Sequence, residues 1–137
     1  DKNSPVVCTV EDCGYTAIED QLSFMLKVKV PWLPAVLNGF LIKAVRQLLK
    51  FKAGFSSLEA APVKKLPDCK IPMLSIHGVP ADSVPLDMLE RLYNAHIGPK
   101  QQLVVKGAKH AEAIYVDTET YINTVQNFVR TYTNKGE

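Results

Sequence analysis

Three short aliphatic runs, separated by stretches long enough for one or more helices, constrain this chain more than any other feature. They are Pro5-Val-Val-Cys-Thr-Val10, Lys70-Ile-Pro-Met-Leu-Ser-Ile-His-Gly78 and Leu103-Val-Val105. Runs of this length, bounded by turn residues, read as buried strands. Pro72 falls near the start of the second, where a missing N–H is tolerated. Strands that alternate with helices pair in parallel through right-handed crossovers. The expected fold is therefore α/β, with three parallel strands and flanking helices. A sheet of that kind needs cover on both faces and leaves two edges.

The intervening stretches carry the helical period. Thr16-Ala-Ile-Glu19 matches a capping box, and Ile18, Leu22, Met25 and Leu26 follow at helical spacing as far as Pro31-Trp-Leu-Pro34. A second helix is expected from Ala35 to about Lys52. Val36, Leu37, Phe40, Leu41, Val45, Leu48 and Leu49 give it a wide apolar face, opposite Lys43, Arg46 and Lys50. Ser57 to Ala61 predicts a short helix stopped by Pro62. Pro85 opens a helix with a Leu89, Leu92 and Tyr93 stripe, ended by Gly98-Pro99. Asp117 caps a last helix whose core face is Tyr121, Val125, Phe128, Val129 and Tyr132.

Charge and composition narrow the function classes. Formal charge is only +2, so no strong attraction to polyanions follows from it. The distribution is less even. No acid lies between Asp20 and Glu59, while Lys27, Lys29, Lys43, Arg46, Lys50 and Lys52 do. That segment reads as a solvated helix face, as a lid over a substrate cleft, or as a lipid-facing surface whose vesicle binding weakens with salt. Nucleic-acid binding is not expected, because the aromatics do not interleave as a stacking platform. No run of eighteen apolar residues exists, so no membrane span is expected. Cys8, Cys13 and Cys69 are an odd set without zinc-ligand spacing, expected to be reduced thiols in a cytoplasmic protein. The chain opens on Asp1, as a processed protein or a piece of a longer one does.

The candidate chemistry lies after the second and third runs. His110 follows Leu103-Val-Val105 and the Gly107-Ala108 turn. A histidine just past the carboxyl end of a parallel strand stands where open α/β sheets place their sites. The loop after the second run, His77-Gly-Val-Pro-Ala-Asp-Ser-Val-Pro85, carries Asp82. Loops after adjacent parallel strands meet at one sheet edge. A carboxylate there can fix an imidazole tautomer, leaving the histidine to act as general base and then general acid. His77 reads as structural, His96 as an exposed residue without a role, and Glu112 as a cap after His110. Trp32, between two prolines, reads as a packing anchor.

Four motifs together resemble the carboxyl-terminal part of the α/β-hydrolase superfamily, in particular its bacterial serine esterase or peptidase-like members. They are Glu11-Asp-Cys-Gly-Tyr-Thr16, Ile71-Pro-Met-Leu-Ser-Ile-His-Gly78, Val84-Pro85 and Val105-Lys-Gly-Ala-Lys-His-Ala-Glu112. The resemblance spans essentially the whole chain. It implies that residues 1–137 are the carboxyl-terminal part of one hydrolase domain, with 29–56 inserted as a lid. It implies that His110 is the triad histidine, that Asp82 is the candidate acid, and that no dissociable cofactor is needed.

Two departures qualify what the resemblance implies. The family pattern His-Gly-x-x-Asp-x-x-Val-Pro has its acid fifth, and the fifth residue here is Ala81, with Asp82 next. Either Asp82 swings in as the acid, or Ala81 marks its loss. The family nucleophile, in Gly-x-Ser-x-Gly, has no counterpart among the six serines. The chain thus resembles the final three strands of a larger sheet without its nucleophile. Two partners are expected: a separate chain carrying the amino-terminal strands, or a second copy paired through the Pro5–Val10 edge. The expected activity is hydrolysis of a small ester through an acyl-enzyme. The alternative is a non-catalytic scaffold piece that keeps the fold.

Overall fold

The computed structural model describes residues 5–80 and 82–133. Its elements run β1 (Thr9–Asp12), α1 (Ile18–Lys29), α2 (Ala35–Ala53), β2 (Met73–Val79), α3 (Leu86–Ala95), β3 (Lys100–Lys106), α4 (Ala113–Val116) and α5 (Thr118–Thr133). The three strands form one parallel sheet in the order β1-β2-β3. The expected α/β fold is the observed one.

β2 is central because its sequence can be buried on both faces. Leu74 and Ile76 point one way, where Val105, Ala108, Ala113 and Phe128 complete a core. Tyr121, Val125 and Tyr132 of α5 pack against that core, which is the face their spacing predicted. Met73, Ser75 and His77 point the other way and are also buried, beside Met88, Leu89 and Leu92 of α3. A strand buried on both faces gains from a near-continuous apolar run. Ser75 and His77 are the exceptions to it.

Several boundaries differ from the sequence reading, each for a local reason. β1 starts at Thr9 rather than Pro5, because its pairing with β2 begins at Met73. Pro72 has no N–H, and its carbonyl takes the Thr9 N–H at 2.8 Å. The Ser57–Ala61 segment is a turn rather than a helix, and Pro62 opens a 3₁₀ turn, Pro62–Lys64, instead of stopping one. Proline suits a first helical position because its missing N–H has no partner to lose there.

The Thr16–Glu19 capping box does not form. The residue before α1 is Ala17, and the Thr16 hydroxyl donates instead to Asp20, at 2.5 Å. Glu19 is held elsewhere: Arg46 Nε and Nη2 donate to its two oxygens at 2.8 and 2.6 Å, and Ser57 adds a third hydrogen bond. The forked guanidinium keeps the Glu19 carboxyl below its ordinary range. This ion pair also sets the rotation of α2. The helix turns Asn38, Ile42, Val45, Arg46 and Leu49 toward the rest of the molecule. Much of the apolar face expected to pack is left in solvent.

His96 is a second correction. It is not exposed but buried, at 1% of its accessible surface. Burial, aided by the nearby Lys100 ammonium, lowers the pKa of its imidazole. The ring packs so closely that a Cβ on Gly98 would lie 2.8 Å from its Nε2. A histidine buried neutral binds a proton more readily in the unfolded chain. Full stability is therefore present above the ordinary imidazole value of 6.5 and is lost as pH falls toward the lowered folded value. Thermal melts between about pH 7.5 and about pH 5.5 should show a falling Tm. In His96→Gln that part of the slope should vanish. An unchanged slope in the variant would assign the pH dependence to other groups.

Candidate functional site

The carboxyl ends of all three strands open onto one edge, and each delivers chemistry-bearing residues there. β1 exits through Asp12 and Cys13, β2 through the loop carrying Asp82, and β3 through the turn carrying His110. The sequence expectation that Asp82 and His110 share an edge is met by a direct contact. The His110 backbone N–H donates to Asp82 Oδ1 at 3.4 Å, across 28 residues. The bonded group is the backbone and not the imidazole. The imidazole is exposed and has no hydrogen-bond partner among the described residues.

Asp82 is ionised more readily than an ordinary aspartate. Partial desolvation works against this, but the His110 N–H, the Ser83 hydroxyl and the Lys109 ammonium outweigh it. A carboxylate held at the histidine turn is the type of group that can orient an imidazole and stabilise its charged form. Ala81, which stands at the family's acid position, lies outside the described residues.

The turn that presents His110 is pinned on three sides. Gly107 takes φ +85° and leads out of β3. The Lys109 N–H donates to Glu112 Oε2 at 3.2 Å, so Glu112 closes the turn. Ala111, directly after the histidine, has φ 58°, and its N–H donates to Cys13 Sγ at 3.3 Å. Cys13 itself has φ 56°. Two non-glycine residues in left-handed conformation thus meet at the strand exits. Such conformations cost of order 1–3 kcal/mol each and gather at functional sites.

Cys13 is not built as a nucleophile. It is buried, and burial pushes its thiol above the ordinary value despite N–H groups from Ala111 and Gly78. A cysteine nucleophile needs the opposite environment. Among the described residues no three His, Cys, Asp or Glu side chains converge to hold a metal ion.

Behind this edge lies a buried polar layer that the sequence reading missed. Glu11 pairs in register with Ser75 on the α3 side of the sheet, with His77 beyond. Burial pushes the Glu11 carboxyl up, while Ser75, the Gly14 N–H and His77 oppose the shift. Glu11 Oε2 accepts the Gly14 N–H at 2.7 Å and closes the β1 exit. His77 Nε2 lies 2.9 Å from the Val84 carbonyl, which can only accept, so Nε2 carries the hydrogen. That bond ties the loop bearing Asp82 to the middle of the sheet. A polar residue recurring on one face of an otherwise apolar strand was the available signal, at Ser75 and His77.

No family model matches the chain. It is 28% identical over 122 residues to YqkD, an uncharacterised protein of Bacillus subtilis strain 168, covering 88% of this chain and 38% of YqkD. The fold is similar to that of an esterase of Pyrococcus furiosus, with TM-score 0.61 and 20% identity. That match covers 96% of this chain and 46% of the esterase. It is also similar to BpoC of Mycobacterium tuberculosis H37Rv, assigned as a non-heme bromoperoxidase, with TM-score 0.59 and 12% identity. Here 93% of this chain and 59% of BpoC are covered. The chain therefore spans about four-tenths to six-tenths of these proteins. Its three parallel strands and flanking helices are of α/β-hydrolase type.

Gly78 tests how tightly the site is built. A Cβ there would lie 2.4 Å from the Ala108 carbonyl oxygen and 2.6 Å from that of Lys109. Both atoms are backbone of the His110 turn, so they cannot rotate away. Gly78→Ala should destabilise the fold by about 1–3 kcal/mol, the range for overpacking, and displace the turn. Urea unfolding measures the first effect, and backbone amide shifts at Lys109 to Ala111 measure the second. Wild-type behaviour in both would mean the turn is looser than this packing requires.

Proposed function

We propose that this chain is the carboxyl-terminal part of an α/β-hydrolase-type serine hydrolase acting on a small ester. In this reading it supplies the catalytic histidine, His110, and the orienting acid, Asp82. The observation that carries the reading is the Asp82–His110 contact at the carboxyl edge of a parallel sheet, in a turn where Ala111 holds a left-handed backbone. The fold and the P. furiosus esterase, itself named for ester hydrolysis, support the same class.

The nucleophile is supplied by amino-terminal strands outside this sequence. Parallel addition to β1, an edge strand in the order β1-β2-β3, extends the sheet. Residues 29–56 act as the lid. His110 takes the proton from the nucleophilic hydroxyl as it attacks the ester carbonyl. It then returns that proton to the leaving alcohol and repeats the cycle with water. In this reading Asp82, whose Oδ1 accepts the His110 backbone N–H in the structure, turns to hold the imidazole and stabilise its charged form during the reaction. The Cys8, Cys13 and Cys69 thiols are free, which suits a reducing compartment such as the cytoplasm.

One observation favours a second reading. Asp82 Oδ1 engages the backbone and leaves the imidazole without a partner, as a scaffold that has lost its triad would. A fluorophosphonate probe on the protein as isolated, followed by native and denaturing mass analysis, separates the two. The hydrolase reading expects covalent labelling of a serine on a companion polypeptide containing Gly-x-Ser-x-Gly. It also expects ester hydrolysis to fall about a thousandfold or more in His110→Ala, and by a large factor in Asp82→Asn. A sample holding only this 15.2 kDa chain, without labelling or hydrolysis, would replace the enzyme with the scaffold.

A further inference from the structure

Helix α2 carries an apolar stripe left in solvent by the other described residues. Val36, Phe40, Leu48 and Phe51 are 88%, 66%, 57% and 86% exposed, and Leu37 and Leu41 are partly so. At about 100° per residue, these six side chains fall within roughly 140° of the helix circumference. Asn38, Ile42, Val45, Arg46 and Leu49 occupy the opposite side and face the rest of the molecule. The stripe is therefore not a misjudged core face. The Arg46–Glu19 ion pair holds it outward.

The charges around the stripe indicate its partner. Lys52 lies just beyond one edge of the stripe, and Lys43 and Lys50 just beyond the other, all exposed. The ion pairs among the described residues use Arg46 and Arg91 and leave these lysines unengaged. No acid lies on the chain between Asp20 and Glu59 to answer them. Trp32, 79% exposed, stands just ahead of the helix. Two copies meeting through this face would bring lysines against lysines with no compensating carboxylate. An apolar strip with lysines on both flanks and an aromatic at one end matches a helix lying at a membrane interface.

We propose that α2 docks this protein on an anionic phospholipid surface. The helix lies in the headgroup plane, with Phe40 and Phe51 entering the acyl boundary. Lys43, Lys50 and Lys52 extend their stems along the apolar strip and place their ammonium groups on lipid phosphates and carboxylates. Among the described residues no helix is long and apolar enough to cross a membrane. The inference uses the segment that the hydrolase reading assigns as lid but no residue of the His110 edge, so either reading can fail without the other.

Trp32 is the single tryptophan of this chain and provides the readout. The protein as isolated is mixed with vesicles of neutral phosphatidylcholine, or of the same lipid with about 30 mol% phosphatidylserine. The expected result is a blue shift of Trp32 emission and co-flotation with the anionic vesicles only. Both should weaken as NaCl rises from about 0.05 to about 0.5 M. Lys43→Glu/Lys50→Glu/Lys52→Glu should cut partitioning about tenfold or more, as should Phe40→Asp/Phe51→Asp. These side chains are exposed, so circular dichroism should match the parent. Absence of binding to anionic vesicles overturns the proposal. So does equal binding to neutral ones. Shielding of Trp32 from iodide without lipid also overturns it, because another polypeptide or a second copy then covers the face. Each result leaves the fluorophosphonate experiment unaffected.

Discussion

Everything near the candidate site is referred to one strand. Among the described residues β2 is the only strand with neighbours on both sides, and its register fixes Asp12 beside Ile76 and Val105 beside Gly78. Parallel pairing aligns the three carboxyl ends, so the exits of β1, β2 and β3 converge without any contact between their side chains being required. Gly78 then permits the His110 turn to approach the β2 backbone more closely than any side chain would allow. If β2 shifted by one residue, Leu74 and Ile76 would leave the α5 core and the exits would no longer meet.

The two faces of β2 divide the work. The α5 side is mostly apolar, with the Tyr121 hydroxyl donating to Asp12 Oδ2 at its edge, and supplies hydrophobic stabilisation through Leu74, Ile76, Ala108, Ala113 and Phe128. The α3 side holds Glu11, Ser75 and His77, groups that are costly to bury; Glu11 Oε2 and His77 Nε2 find backbone partners, while Glu11 Oε1, Ser75 Oγ and His77 Nδ1 have none among the described residues. The Gly14 and Val84 contacts of Glu11 and His77 convert that burial into geometry, because each anchors a loop at the sheet edge. A buried polar layer behind an exposed histidine turn therefore links packing to the site.

Helices α1 and α2 follow a different rule. α1 and α2 are linked by the Glu19–Arg46 and Ser23–Asn38 hydrogen bonds, with only Ile42, Val45 and Leu49 of the large apolar α2 side chains half-buried. Such a contact orients a helix but buries little apolar area. It leaves α2 with a hydrophobic stripe and flanking lysines in solvent, the arrangement from which a lipid-facing role follows.

The order of strands and helices was legible in the residues, because period two and period 3.6 leave local marks and Pro72, Gly54 and Gly107 punctuate them. The Asp82–His110 juxtaposition was legible too, since parallel topology brings successive loops to one edge. Asp117 capped α5 as its type and position suggested, accepting the Thr120 N–H. Other outcomes depended on partners far away in sequence. Glu19 left its capping role for Arg46, 27 residues on. His96 went inside because Gly98 leaves it room. Cys13 and Ala111 took left-handed backbone where two strand exits meet. The sequence by itself determined which segments are strands or helices and which residues reach the sheet edge, because those follow from near-neighbour sterics and apolar spacing. Only the tertiary structure decided which polar groups are buried and which face of α2 is exposed, because desolvation and ion pairing depend on the three-dimensional surroundings of each group.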